Sequence, residues 1–156
     1  MDTLAKLKKY LEQNNAPYEV ILHEEAYTSQ ELAQALHTPG NEFAKVVVVK
    51  ANGAYRLAAL PASRRIDLEA LKKAWDTGAV ALASEQEIKD LFPEAEIGAM
   101  PPFGNLYNIE VWVDTSLTRD EYITFNAGTH YNAVRMRYRD FERIVRPRVD
   151  CFSVHI

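Results

Sequence analysis

Leu4, Leu7 and Leu11 stand three and four residues apart near the start of the chain. That spacing is one stripe of a helix and predicts a first helix ending near Asn14-Asn15, with Pro17 as its stop. Tyr18 to His23 (YEVILH) then reads as a short strand. Thr28-Ser29-Gln30-Glu31 has the form of a capping box, and Leu32, Ala33 and Leu36 supply the buried stripe of a second helix. The pattern changes at Ala44–Ala51 (AKVVVVKA) and Tyr55–Leu60 (YRLAAL), which flank Asn52-Gly53, a pair suited to the positive φ angles of a tight hairpin turn. Four consecutive valines predict a strand covered on both faces. Alternation puts Lys45, Val47 and Val49 on one face and Val46, Val48 and Lys50 on the other. Two lysines therefore bracket the apolar run and point opposite ways, and at least one must face something other than bulk water.

Further along, Asp67 is placed to cap a third helix through Trp75, with Leu68 and Leu71 inward. Val80–Ala83 reads as a strand. Ser84-Glu85-Gln86-Glu87 is a second capping box, opening a helix that Pro93 ends. Strands follow at Ile109–Val113, Tyr122–Asn126 and Ala133–Met136. Asp140 is expected to cap a last helix reaching Val145, closed by Pro147. Helices interleaved with strands, some joined as hairpins, predict an α/β fold whose sheet is mixed and mostly antiparallel, flanked by helices.

Composition narrows the class. With 156 residues, 47% apolar and 26% charged, the chain is expected to form one domain over residues 1–156. Enough apolar surface is present to exclude a disordered chain. Cys151 is the sole cysteine, which excludes a disulfide scaffold. No apolar run approaches the length of a membrane span, and the first residues lack a secretory pattern, so a cytoplasmic protein is expected. Net charge is −4, yet seven of the ten arginines lie between Arg119 and Arg148 among four acids. Such a balance argues against a broad DNA- or RNA-coating surface and leaves room for a local contact with one nucleic-acid end. Arg135, Arg137 and Arg139, at alternating spacing, are expected to share one strand face.

Nucleotide-cradling loops of the G-x-x-x-x-G-K-[ST] and G-x-G-x-x-G kinds are absent from the sequence. His23, His37, His130 and His155 do not fall at metal-site spacing, and one cysteine cannot build a thiolate cage; no metal and no cofactor is expected. There is no G-x-S-x-G elbow, and Cys151 reads as buried or incidental. Two loops carry chemical promise. Gly98-Ala99-Met100-Pro101-Pro102-Phe103-Gly104-Asn105 is stiffened by paired prolines, and its glycines permit close approach of backbone to a ligand. Such a segment can aim N–H groups at a developing oxyanion, or it can be a rigid connection to the next strand. Asn126-Ala127-Gly128-Thr129-His130 is a small-residue loop whose histidine is either an acid–base group or a satisfied turn residue.

In order and spacing, these pieces resemble the YbaK family of aminoacyl-tRNA deacylases, relatives of the editing insertion of bacterial prolyl-tRNA synthetases. The likeness runs from about His23 to Pro147. It takes in the Thr28–Ala33 helix start, Lys45 with its valines, Leu60-Pro61-Ala62-Ser63-Arg64-Arg65-Ile66-Asp67-Leu68, Leu82-Ala83-Ser84, Gly98-x-x-x-Pro102-x-Gly104 and Asn126–His130. The resemblance implies hydrolysis of the ester between a wrongly attached amino acid and the terminal adenosine of a tRNA. The expected partners are the aminoacyl-tRNA 3′ end and prolyl-tRNA synthetase, with neither DNA nor membrane. It also implies that Lys45 holds the tRNA end. Gly98, Ala99, Met100, Pro101, Pro102 and Gly104 would form the substrate loop, and Gly128, Thr129 and His130 the border of the pocket, as in the alanine-editing branch.

An aminoacyl ester is already reactive, so positioning and oxyanion stabilisation suffice without a strong nucleophile. On this reading Lys45, Gly98 and His130 carry catalysis: the ammonium binds phosphate or ribose, the loop amides polarise the carbonyl, and His130 orients water or the substrate amine. Two departures from the family stand out. Val46 follows the lysine where Thr or Asn is frequent, and Pro101 occupies the position of a frequent serine, removing a hydroxyl and an N–H. The reading expected for the substrate is a small amino acid such as alanine on tRNA-Pro, with serine and threonine also open. The alternative is a non-catalytic module that binds a tRNA end or a synthetase.

Overall fold

The computed structural model describes residues 2–23 and 42–155. The expected helix after Thr28, with Leu32, Ala33, Leu36 and His37, lies outside the described residues. Helix α1 (Thr3–Gln13) starts where the Asp2 carboxylate accepts the Ala5 N–H at 2.8 Å. Its stripe buries Leu7 and Leu11 completely, about 1.5–3 kcal/mol for each side chain. Strand β1 (Tyr18–Leu22) follows Pro17, and β2 (Ala44–Ala51) and β3 (Ala54–Pro61) form the hairpin. Asn52 and Gly53 at its tip take φ of 52° and 80°, the two left-handed residues of a type I′ turn.

The remaining elements are β4 (Arg64–Ile66), α2 (Leu68–Ala74), β5 (Ala81–Leu82), α3 (Glu85–Leu91), β6 (Glu110–Asp114), β7 (Tyr122–Asn126), β8 (Asn132–Arg137), α4 (Tyr138–Val145), β9 (Arg148–Asp150) and β10 (Ser153–His155). Asp67 caps α2 and the Ser84/Glu87 capping box opens α3, both as predicted. The strands divide into a five-stranded sheet in the order β5-β2-β3-β6-β9, a three-stranded sheet β1-β8-β7 and the pair β10-β4. Pairing is antiparallel except for β3–β6 and β6–β9. A parallel bridge between Phe43 and Thr124 ties the start of β2 to β7. The fold is thus α/β with a mixed, mostly antiparallel arrangement.

Hydrophobic packing explains the valine run. Val48 joins a core with Leu7, Phe103, Phe125 and Phe141 on one face of β2, while Val49 packs with Leu60, Leu71, Trp112 and Phe152 on the other. Three expectations are corrected. Helix α4 begins at Tyr138, not beyond Asp140, because the Tyr138 N–H is already held by the Glu121 carbonyl at 2.9 Å and the chain turns into the helix straight from β8. Arg139 therefore sits on α4, and only Arg135 and Arg137 share a face of β8. Val80–Ala83 shrinks to the two paired residues of β5. Of the two readings of Cys151, buried or incidental, exposure selects the second, with its thiol 3.4 Å from the Thr115 hydroxyl.

Candidate functional site

Two segments expected to line the site are knotted together. Glu96 to Ala99 forms a turn closed by the Ala99 N–H on the Glu96 carbonyl at 3.0 Å. Gly98 is its third residue with φ +83°, the position at which a type II turn needs glycine. The second segment clasps this turn at both ends. Gly128 donates its N–H to the Ala99 carbonyl at 2.8 Å and accepts the Glu96 N–H at 2.8 Å. The His130 N–H reaches the Glu96 carboxylate at 3.2 Å, and its ring Nε2 lies 3.1 Å from the Ile97 carbonyl oxygen. A carbonyl accepts only, so Nε2 carries the proton and Nδ1 is left as the acceptor. Any Cβ on Gly98 would meet His130 Cε1 at 3.8 Å.

Gly128, with φ +100°, is fixed by packing: a Cβ there would fall 2.6 Å from the Thr3 Cβ at the start of α1. Thr129 serves the turn, its hydroxyl accepting from the Tyr131 N–H at 3.2 Å and from Asn132 Nδ2 at 2.8 Å. Ahead of the knot, Ala99, Met100, Pro101, Pro102 and Phe103 are buried, Met100 and Phe103 in the main core. Gly104 has a packing role, since a Cβ there would collide with the Ile109 carbonyl oxygen. The loop's donor supply is narrower than its length suggests. Both prolines lack an N–H, and that of Ala99 closes the turn. Among the described residues no hydrogen bond engages the N–H of Gly98 or Met100.

Lys45 stands apart from this knot. It lies on β2 opposite Leu60 of β3, half-buried. Desolvation lowers its pKa from the ordinary 10.5, and among the described residues the ammonium has no ion pair or hydrogen bond. Its link to the knot is the Phe43–Thr124 bridge, since β7 runs on from Thr124 into Asn126-Ala127-Gly128. Beyond His130 a hollow of about 640 Å³ opens, lined by Phe92, Pro93, Glu96 and Ile97; Lys45 does not line it.

The described residues contain no cluster of three or more His, Cys, Asp or Glu able to hold a metal. No helix among them is long and apolar enough to cross a membrane. Asn126, at the end of β7, opens the small-residue loop that the sequence singles out, but no role is expected of it there. It is 7% exposed, and among the described residues its buried Oδ1 has no partner. In the sequence it is one more polar residue at a strand end, and burial alone distinguishes it.

Separately, the N–H groups of Gly98 and Met100 and the Lys45 ammonium are each of a kind that can hold an oxygen carrying negative charge. The comparisons with known proteins agree with such chemistry. Residues 23–144 match the model of the aminoacyl-tRNA editing domain. A multifunctional Ser/Thr-tRNA deacylase of Escherichia coli K12, ProXp-y, is 30% identical over 152 residues, 94% of this chain and 90% of that protein. Two crystal structures share the fold: a hypothetical protein with TM-score 0.87 at 20% identity, covering 96% of this chain and 99% of the other, and a candidate trans-editing enzyme for prolyl-tRNA synthetase with TM-score 0.85 at 18% identity, covering 99% and 98%. The chain belongs to the aminoacyl-tRNA editing domain family, and its activity is that of an aminoacyl-tRNA deacylase.

Proposed function

We propose that this chain clears small, wrongly attached amino acids from tRNA in the cytoplasm, in trans to prolyl-tRNA synthetase. Alanine on tRNA-Pro is the first substrate to test. Serine and threonine stand beside it because the E. coli relative is named for those two. The observation that carries the reading is Lys45, a half-buried ammonium with no anion beside it among the described residues. A structural lysine in that setting has nothing to offset its desolvation. A terminal phosphate or ribose oxygen supplies the missing partner.

The chemistry needs little more. Water attacks the ester carbonyl while the N–H groups of Gly98 and Met100 hold the oxygen that gains charge. His130 Nδ1 accepts a hydrogen bond from that water or from the substrate amine. The carbon–oxygen bond to the ribose then breaks, the ribose oxygen takes up a proton, and the amino acid leaves as its carboxylate. Purified wild type, Lys45→Ala and His130→Ala are compared on Ala-, Ser- and Thr-tRNA by loss of acid-precipitable label. Wild-type turnover that falls in both variants is the expected result. Binding without turnover by the wild type would reduce the chain to a tRNA-end module. Association should weaken as salt rises, because phosphate contacts release counterions.

A further inference from the structure

Asn126 is the polar group that the deacylation scheme leaves unexplained. The residue is 7% exposed, and among the described residues its buried Oδ1 has no hydrogen-bond partner. An amide oxygen in that state is costly and calls for a specific reason. Its neighbours do not share the defect. Thr124, two residues back on the same face of β7, donates to the Glu42 carboxylate at 3.4 Å, and the same oxygen takes Arg135 Nε at 2.9 Å. Pairing stops where the face reaches Asn126.

One isolated bridge ties the chain beside Asn126 to the start of β2. Phe43 and Thr124 form the parallel bridge, and two residues further along each chain stand Lys45 and Asn126. Ala44 on β2, Phe125 on β7 and Ala127 just after it belong to the main core, and Val46 packs against that core. Alternation therefore sends Lys45 and Asn126 to the opposite face of their strands. Among the described residues, a cation without an anion and an acceptor without a donor thus stand two residues beyond the same bridge. Lys45 suits an oxygen; Asn126 requires a hydrogen. A substrate ammonium at that spot would meet the like charge of Lys45, whereas a neutral hydroxyl fits both groups.

We propose that Asn126 accepts a hydrogen bond from a substrate hydroxyl bound beside Lys45, making it a residue that binds and positions the ester. The inference rests on the deacylase reading above. The hydroxyl has two sources, the side chain of serine or threonine and the ribose of the terminal adenosine. Losing such a bond lowers the rate roughly tenfold.

Wild type, Asn126→Ala and Asn126→Leu are compared in single-turnover hydrolysis of Ser-, Thr- and Ala-tRNA, each ending in adenosine or in 2′-deoxyadenosine. A drop on the seryl and threonyl esters with alanyl hydrolysis intact assigns the bond to the amino-acid side chain. An equal drop on all three adenosine-ended tRNAs, absent from the deoxy-ended ones, assigns it to the ribose. No drop, or one that ignores both hydroxyls, overturns the proposal. Thermal melts supply an independent readout. Replacing an unpaired buried amide by an apolar side chain should keep or raise Tm, and a fall of several degrees in both variants would make Asn126 structural and overturn the assignment. Wild type inactive on every ester defeats the deacylase reading itself; active wild type with indifferent variants defeats only the role of Asn126.

Discussion

Lys50, at the far end of β2, has its ammonium 3.0 Å from the Glu87 carboxylate and 5.7 Å from the centre of the Tyr55 ring. Lys45, at the near end, has neither an anion nor a ring among the described residues and is half-buried. One strand thus carries two lysines whose surroundings pull their proton affinity in opposite directions: Glu87 raises Lys50, and desolvation lowers Lys45. The valines between them explain why both are tolerated, since the strand is fixed by two cores whatever its ends carry. What differs is completeness. Lys50 has its partner in the fold, and on the proposed reading Lys45 finds its partner in the substrate.

The largest expected effect tests that difference directly. Lys45→Ala should slow deacylation by about a hundredfold or more, the scale of removing one preorganised electrostatic group from a site. Lys50→Ala should leave single-turnover rates at the wild-type level. Equal losses in the two variants would abolish the distinction, because they would mean that the strand and not its near lysine is what activity needs.

A smaller effect comes from titration. On the proposed reading Lys45 works as a cation, so activity should be full below its folded pKa and fall as pH rises through it. Since that pKa is lowered from 10.5, the alkaline fall in kcat/KM should begin at a lower pH than an ordinary lysine would give. Lys45→Arg keeps its charge throughout and should lose the alkaline limb, even where its different shape reduces the rate. An unchanged limb in Lys45→Arg would assign it to another group.

Stability should move the other way from activity. The folded pKa of Lys45 lies below the unfolded one, so below the folded pKa both states are protonated and burial is a constant burden. Between the two values the unfolded chain holds more protons, and stability rises with pH as the burden is relieved. Lys45→Met should therefore melt at or above the wild-type temperature at neutral pH while losing activity. A clear fall in Tm would show that Lys45 has a structural partner.

The same contrast runs through what the sequence could reveal. The β2–β3 hairpin, α1 and the two capped helices were legible because Asn52-Gly53, the leucine stripe, Asp67 and Ser84 are local signals, and each acts within a few residues of itself. The short strands β4, β9 and β10 were not: β9 is exposed throughout and β10 finds its partner β4 far along the chain, so neither shows a period. Among the candidate site residues, Lys45 was visible as a charge at the edge of an apolar run. Gly104 looked like Gly98, a glycine for ligand approach, but the Ile109 carbonyl next to it makes it a packing residue. Asn126 was silent, because an orphaned acceptor is defined by what fails to surround it in three dimensions.

The smallest effect belongs to the satisfied end of β2. Glu87 accepts from the Tyr55 hydroxyl, from the Ser84 N–H at 3.0 Å and from Lys50, which together hold its pKa at about 2, down from 4.5. Its folded pKa is depressed, so its contribution to stability is present above the unfolded value of 4.5 and is lost as pH falls through about 2. Glu87→Gln removes the titrating group and should flatten that part of the acid melting profile, with little change in Tm at neutral pH because the pair is open to solvent and screened. Deacylation should be untouched, since the carboxylate serves the fold at the end of β2 remote in sequence from Lys45. Parallel acid profiles for wild type and Glu87→Gln would mean that the Lys50 end is no better satisfied than the Lys45 end, and the contrast between the two lysines would fail from its quieter side.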